Sequence, residues 1–459
     1  MLPEAVREYL DANRDRHLAE LCELLRIPSI ANVRGEPDRC RQAADWLAER
    51  LEQIGLSASI EPTGGRPVVF AEARPYEDAP TVLIYGHYDV QPADPLNEWD
   101  TPPFEPSIRD GAVYARGAND DKGQLYTHIM AMDAWQNAGG GLPVNVKVLL
   151  EGEEEVSSPN LEPYVAENAH RLSADAAVIS DSEFFAPDLP CLVYGLRGIV
   201  YVEITFYGPT ADLHSGSHGG VVVNPANALG KLIARMHDDN GRVALPGFYD
   251  DVRELTDDQR RLWNELPFDE ADYARSLGVS ELAGGESDRD VLQRRWSRPT
   301  LDVNGMVSGY TEQGAKTIIP ARATAKVSCR LVPDQDPEKV LEGFRSFIAE
   351  NTPAGIRSEL TVHSTARPVL LSRQSPAIRS ASAAMAEAFG RKPAMIRTGG
   401  SVPIAELIQR LLGIDAAMMG FGLSDDNVHS PNEHFRLEQF YRGSCASASF
   451  LRELGALAH

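Results

Sequence analysis

Basic residues are scarce in this 459-residue chain: Lys and Arg number 44 against 67 Asp and Glu, a formal charge of −23. Nucleic acids and anionic membranes reward clustered Lys and Arg, so neither is an expected partner. Thiols are few as well. The five cysteines, Cys22, Cys40, Cys191, Cys329 and Cys445, are scattered and never spaced C-x-x-C. That excludes a disulfide framework or a Cys-rich zinc module and makes a reducing cytoplasm the simplest compartment. No apolar run, Val144 to Leu150 included, approaches the ~18 residues that span a bilayer. Met1 to Glu8 has no basic stretch leading into an apolar one, so no signal peptide is expected. Three catalytic signatures are missing too: the G-x-S-x-G elbow, the H-E-x-x-H helix and the G-x-x-x-x-G-K-[ST] loop.

What is present is a folded globular composition, 43% hydrophobic and 7% aromatic. The length predicts two or three domains. In the first half, helical spacing over Val6 to Leu25 and Gln42 to Ile54 is followed by short apolar runs at Val68 to Phe70, Thr81 to Tyr85, Val144 to Leu150 and Ala176 to Ile179. A helical stretch, Lys122 to Gln136, separates them. Continuous apolar strands alternating with helices predict an α/β domain with a mixed, mainly parallel sheet buried on both faces. Near Gly198 the texture changes: Ile199 to Phe206, Ala323 to Leu331 and Glu359 to His363 read as strands with one exposed face. Helices are expected at Pro225 to Met236 and Pro337 to Ile348, and a charged helical insertion at Asp238 to Arg298. From Ser375 the α/β texture returns, with helices Ala377 to Phe389 and Leu437 to Leu454 around a strand Ala416 to Met419. The expected organisation is a catalytic α/β domain, 1–197 plus 371–459, interrupted by a smaller α+β domain at 198–370.

The chemistry-bearing residues fall at strand exits, where open α/β sheets place ligands. Thr81 to Tyr85 ends in Gly86-His87-Tyr88-Asp89, with His87 and Asp89 on one side of the strand. A carboxylate so placed can orient a metal-ligating imidazole, although a strand-end pair bonded to loop backbone is an equal possibility. Asp120 and Asp121 precede a helix and, standing alone, are an N-cap and a dipole partner. Gly117 and Gly123 would let the backbone turn tightly enough to project Asp120 into a cleft. Glu151, Glu153, Glu154 and Glu155 end a core strand and repel one another unless a cation offsets them or water separates them. Asp181 leaves another strand, and His429 lies in a polar loop before the last helix. Together His87, Asp120, Glu155, Asp181 and His429 suit two divalent cations sharing a carboxylate, with Zn2+ favoured and Mn2+ or Co2+ alternatives.

The segments Gly86 to Pro92, Arg116 to Gly123, Glu151 to Ser158 and Asn427 to Glu433 resemble the metal motifs of the M20 metallopeptidase family along nearly the whole chain. Asp212 to Gly216 is most similar to the carnosinase-like and cytosolic nonspecific dipeptidase branch. The resemblance implies that Asp120 bridges two zinc ions, with His87 and Asp181 on one and Glu155 and His429 on the other. It implies Glu154 as general base, Asp89 as the residue orienting His87, and a cis peptide after Asp120. Ser157 stands where the family has Gly. The implied reaction is hydrolysis of the amide bond of dipeptides or short peptides by a metal-bridged hydroxide, releasing a C-terminal amino acid. His214 is the oxyanion donor supplied across a homodimer interface, or otherwise a loop His capping Asp212. Arg330, Gly400 and Ser401 match substrate-binding positions, Arg330 being otherwise a strand-face salt bridge, and His363 is either another or a packed strand residue. Alternatives are an N-acyl-amino-acid deacylase, desuccinylase or glutamate carboxypeptidase, and, more remotely, a non-catalytic binding module. His128 is expected on a packed or solvated helical face rather than bound to metal.

Overall fold

The apolar runs of the first half become the buried centre of one mixed sheet. The computed structural model describes residues 1–32, 37–400 and 402–457, so Ser401 lies outside the described residues. Four strands at the centre run parallel, in the order Asn145–Glu151, Thr81–His87, Ala176–Ile179 and Ala416–Met418. Every residue of these strands is buried, which is why they are mostly apolar; the polar Asn145 and Lys147 of the first are held by backbone carbonyls. Val68–Ala73 and Ser57–Glu61 extend one side antiparallel, and Cys191–Leu196 flanks the other. The helix Lys122–Ala138 is buried from Lys122 to Trp135 and packs with Leu437–Ala456 and Pro376–Phe389 in one apolar core.

The chain forms two compact units: Met1–Tyr194, Leu371–Met395 and Pro403–His459 make the first, Gly195–Leu370 and Ile396–Val402 the second. The second is built on an antiparallel sheet in the order Thr300–Ser308, Arg322–Leu331, Gly198–Tyr207, Arg357–Ala366. Alternate residues Val200, Val202, Ile204 and Phe206 pack with Ala323, Ala325, Val327 and Cys329 against helices Pro225–Ala234 and Pro337–Asn351. The two outer strands leave Val303, Met306 and Val362 exposed on the face they share with Val327, Ala325 and Val202, and Val307 exposed on the opposite face.

Several expectations need correcting. Val6 to Leu25 is two helices, Glu4–Ala12 and Arg14–Leu25, because Asn13 leaves helical geometry and donates its side-chain amide to the Tyr9 carbonyl at 2.8 Å. The Thr300–Ser308 strand went unread, since Asn304, Gly305 and a bulge interrupt its pattern. All five cysteines are unpaired, and among the described residues no helix is long and apolar enough to cross a membrane.

Candidate metal centre

Parallel register carries His87, Glu155 and Asp181 to one edge of the first unit; Asp120, whose preceding strand Ala112–Tyr114 belongs to a separate small sheet, and His429 reach them on loops. His87 ends its strand opposite Glu151, and Asp181 follows the neighbouring strand by two residues. His87 Nδ1 lies 3.1 Å from the Asp89 carbonyl and 3.4 Å from Asp89 Oδ1. Both oxygens only accept, so Nδ1 carries a proton, and Nε2, facing Asp120, is the nitrogen that would meet a cation. The same Asp89 carboxylate accepts the N–H groups of Glu154 and Glu155, at 3.2 and 3.1 Å, fixing the turn that aims them.

Asp120 faces two ways. Its Oδ1 is 3.0 Å from His87 Nε2 and its Oδ2 is 2.8 Å from His429 Nε2, which is also 3.3 Å from Glu155 Oε2. Two donor groups result, His87–Asp120–Asp181 and Asp120–Glu155–His429, each with its ligand atoms within 4.8 Å of one another. Carboxylates that close repel by about 3–4 kcal/mol at an effective dielectric of 20. Burial first, then neighbouring carboxylates such as Asp120, push the carboxyls of Asp181 and Glu154 above the ordinary range. A divalent cation in each group removes that penalty. Donor atoms about 3 Å apart are what ligands at ~2.0–2.2 Å from one zinc require, so the residues fit a pair of cations.

Backbone geometry supports the arrangement. The Asp120–Asp121 peptide bond is cis. A Cβ on Gly123 would lie 1.9 Å from the Ala118 carbonyl oxygen, so only glycine permits this close approach. Ser157 adopts the left-handed φ of 71° that Gly would take freely. The four glutamates separate: Glu151 is buried and accepts the Tyr85 hydroxyl at 2.5 Å, while Glu153 accepts Asn160 Nδ2 at 2.8 Å. Only Glu154 and Glu155 remain at the centre.

Two residues belong here that composition and spacing did not single out. The buried Glu433 accepts the N–H groups of Gly117, Asn119 and Asp120, at 3.0, 3.0 and 3.2 Å, and Arg116 Nη1 at 2.7 Å. It sits four residues beyond His429 and ties that loop to the Asp120 loop. Gln91 donates to Glu155 Oε2 at 2.7 Å. The only sequence signal for either was its place within a quoted motif. His128 is packed: Ser180 gives its one proton to the Met419 carbonyl, so His128 Nε2–H donates to Ser180 Oγ at 2.8 Å.

The other candidates lie in the second unit. His214 is exposed on the strand pair Leu213–His214 with Ile318–Ile319, and its Nδ1 accepts the Gly216 N–H at 3.0 Å. It does not cap Asp212, which accepts the Ala321 N–H at 3.0 Å. Arg330 pairs across its sheet with Thr300, and the Gly400 carbonyl accepts the Arg197 N–H at 3.2 Å. His363 is exposed, 3.4 Å from Glu203 Oε2 with its ring 5.2 Å from Tyr201.

Residues 83–453 match the model of peptidase family M20/M25/M40. The chain is 31% identical to the Cys-Gly metallodipeptidase DUG1 of Saccharomyces cerevisiae, over 98% of this chain and 97% of that protein. It is likewise 31% identical to the Beta-Ala-His dipeptidase of Homo sapiens, over 99% and 93%. Among solved structures, the M20 family metallo-carboxypeptidase Sso-CP2 from Sulfolobus solfataricus superposes with a TM-score of 0.86 at 37% identity, covering 96% of this chain and 100% of that one. A mixed sheet whose parallel strands lead into His87, Glu155 and Asp181, with loops bringing Asp120 and His429 to them, together with full-length similarity of this order, makes the chain a member of the M20/M25/M40 peptidase family.

Proposed function

We propose that the protein hydrolyses dipeptides or short peptides, releasing the C-terminal amino acid, with two divalent cations per subunit, Zn2+ foremost and Mn2+ or Co2+ as substitutes. His87, Asp120 and Asp181 would hold one cation and Asp120, Glu155 and His429 the other. When bound, such a pair supplies Lewis acidity that lowers the pKa of water from 15.7 towards ~7. Glu154 takes the proton of the attacking water and delivers it to the amine as the C–N bond breaks. Asp89 keeps His87 in the tautomer that leaves Nε2 free. His214 of the partner subunit donates to the oxyanion. Arg330, with Gly400 and Ser401, receives the substrate carboxylate, and His363 is a lesser substrate contact. The unit containing the metal ligands is the catalytic domain, and residues 198–370 form the lid and dimerisation domain. Five unpaired cysteines suit the cytoplasm.

One observation carries the reading: the two oxygens of Asp120 address two different histidines, each beside a further carboxylate. The names of the dipeptidase relatives favour dipeptides, and that of the carboxypeptidase neighbour favours release from the C-terminal end. The test is turnover of a dipeptide panel beside N-acyl amino acids after chelation and defined metal add-back. Dipeptide cleavage restored by Zn2+ or Mn2+ is expected. Cleavage of acyl amino acids alone would replace the dipeptidase reading with a deacylase.

A further inference from the structure

The unit that carries the metal ligands has a second concavity, about 410 Å3 in volume, within the ~300–1,000 Å3 of small-molecule sites. None of the residues lining it is a metal ligand or a proposed substrate contact. Its base is apolar. Phe184 and Leu423 are buried, and Phe184 meets the Phe389 ring edge-on, with centres 4.8 Å apart.

Polar groups gather where the helix Leu437–Ala456 begins. That helix starts without a side-chain cap, and Arg436, Gln439 and Arg442 line the cavity from its cap and first turns. Uncapped N–H groups and the helix dipole favour an anion at such a start. Gln439 is 6% exposed, yet among the described residues its side-chain amide makes no hydrogen bond. A buried amide without a partner is unfavourable unless something in the cavity pairs with it. Arg436 Nε is likewise buried and without a hydrogen bond, Asp426 Oδ1 standing 4.0 Å from it. Arg442 lies over the Phe389 ring, 4.7 Å from its centre, where apolar base and cationic rim meet. Asp188 and Glu438 add two carboxylates to the rim. They pair with Arg391 at 3.0 Å and Arg442 at 2.8 Å, but their side chains are 82% and 75% exposed, and such pairs yield readily to a competing charge.

We propose that this cavity binds a free L-amino acid with a large apolar side chain. Its α-carboxylate sits at the helix start with Arg436 and Arg442, and the Gln439 amide donates to it. Its ammonium meets Asp188 and Glu438, and its side chain lies on Phe184, Phe389 and Leu423. A rim carrying both signs of charge around an apolar base matches a zwitterion of this kind better than an anion, a cation or a hydrocarbon. Nothing in this geometry depends on the peptidase reading, although hydrolysis would release molecules of this class.

Calorimetry on the metal-loaded full chain compares L-phenylalanine with glycine, 3-phenylpropionate and 2-phenylethylamine, which lack the side chain, the ammonium and the carboxylate in turn. L-phenylalanine is expected to bind about tenfold or more tighter than each truncated probe. Gln439→Leu, close in volume, and Arg442→Ala, at a part-exposed position, should each weaken it about tenfold with circular dichroism unchanged. Binding that neither variant weakens belongs to the metal centre and overturns the proposal. So does the absence of heat from L-phenylalanine at ~10 mM, or 3-phenylpropionate binding as tightly.

Discussion

Asp120 shows how much one side chain can be asked to do. Its oxygens face His87 and His429, so removing it opens both donor groups at once. Asp120→Ala is therefore expected to lose both cations by elemental analysis, whereas Glu154→Gln retains them and loses turnover by roughly 10²- to 10⁴-fold, the range of general acid–base catalysis. Near-normal turnover in Glu154→Gln would show the base to be another residue. Glu433 acts through others: its carboxylate gathers three backbone N–H groups and Arg116, one of those N–H groups being that of Asp120. In Glu433→Gln an amide NH2 opposes those donors, and metal affinity should fall about 10- to 100-fold by chelator competition while circular dichroism stays native. Unchanged affinity would reduce Glu433 to a packing role. The ligand residue types and their strand exits were legible in the sequence; the clamp was not. Nothing local to Glu433 says that a loop more than three hundred residues upstream will fold around it.

Among the elements, the helix Lys122–Ala138 matters most, because it begins at the Asp120 loop and is buried for nearly its whole length. At its far end Asp133 accepts Arg16 Nη2 at 2.6 Å, His17 Nε2 at 3.0 Å and Arg50 Nη2 at 3.2 Å, tying two N-terminal helices to it. Burial alone would raise this carboxyl, but hydrogen bonds from His17 and Arg16 and the charges of Arg50 and Arg16 outweigh it and bring it down to about 2. A depressed carboxyl stabilises the fold above its unfolded value near 4, and that contribution is lost as pH falls from about 4 to about 2. Asp133→Asn should flatten thermal stability across that window and cost about 1.5–3 kcal/mol at neutral pH, the loss of charge-assisted hydrogen bonds, since Glu20 still pairs with Arg16 and Arg50. An unaltered acid profile by calorimetry would exclude the network as its source. Long periodic helices and the buried parallel strands were readable from spacing. The break at Asn13 and the strand Thr300–Ser308 were not, because a side-chain bond to backbone and a bulge override the pattern.

At the scale of the whole molecule, the sheet of the second unit leaves Val303, Met306, Val307 and Val362 in water on its two outer strands. If a second copy covers these outer strands and brings His214 with it, sedimentation should show a dimer. Val307→Glu, at an exposed position, should then yield a monomer with turnover lowered at least about 10²-fold, the order of losing one oxyanion donor. A native monomer with full activity would rule out a donor from a second copy. Hydrophobic runs and turn residues act over a few neighbours, so the ligand residue types and the parallel centre are legible in the chain itself. Folding alone settles that Asp120 enters from outside that sheet, which of its oxygens meets which histidine, what Glu433 holds, and that four arginines, Arg197, Arg294, Arg295 and Arg330, share one chamber. Those depend on segments hundreds of residues apart coming into register, and no local pattern encodes such distances.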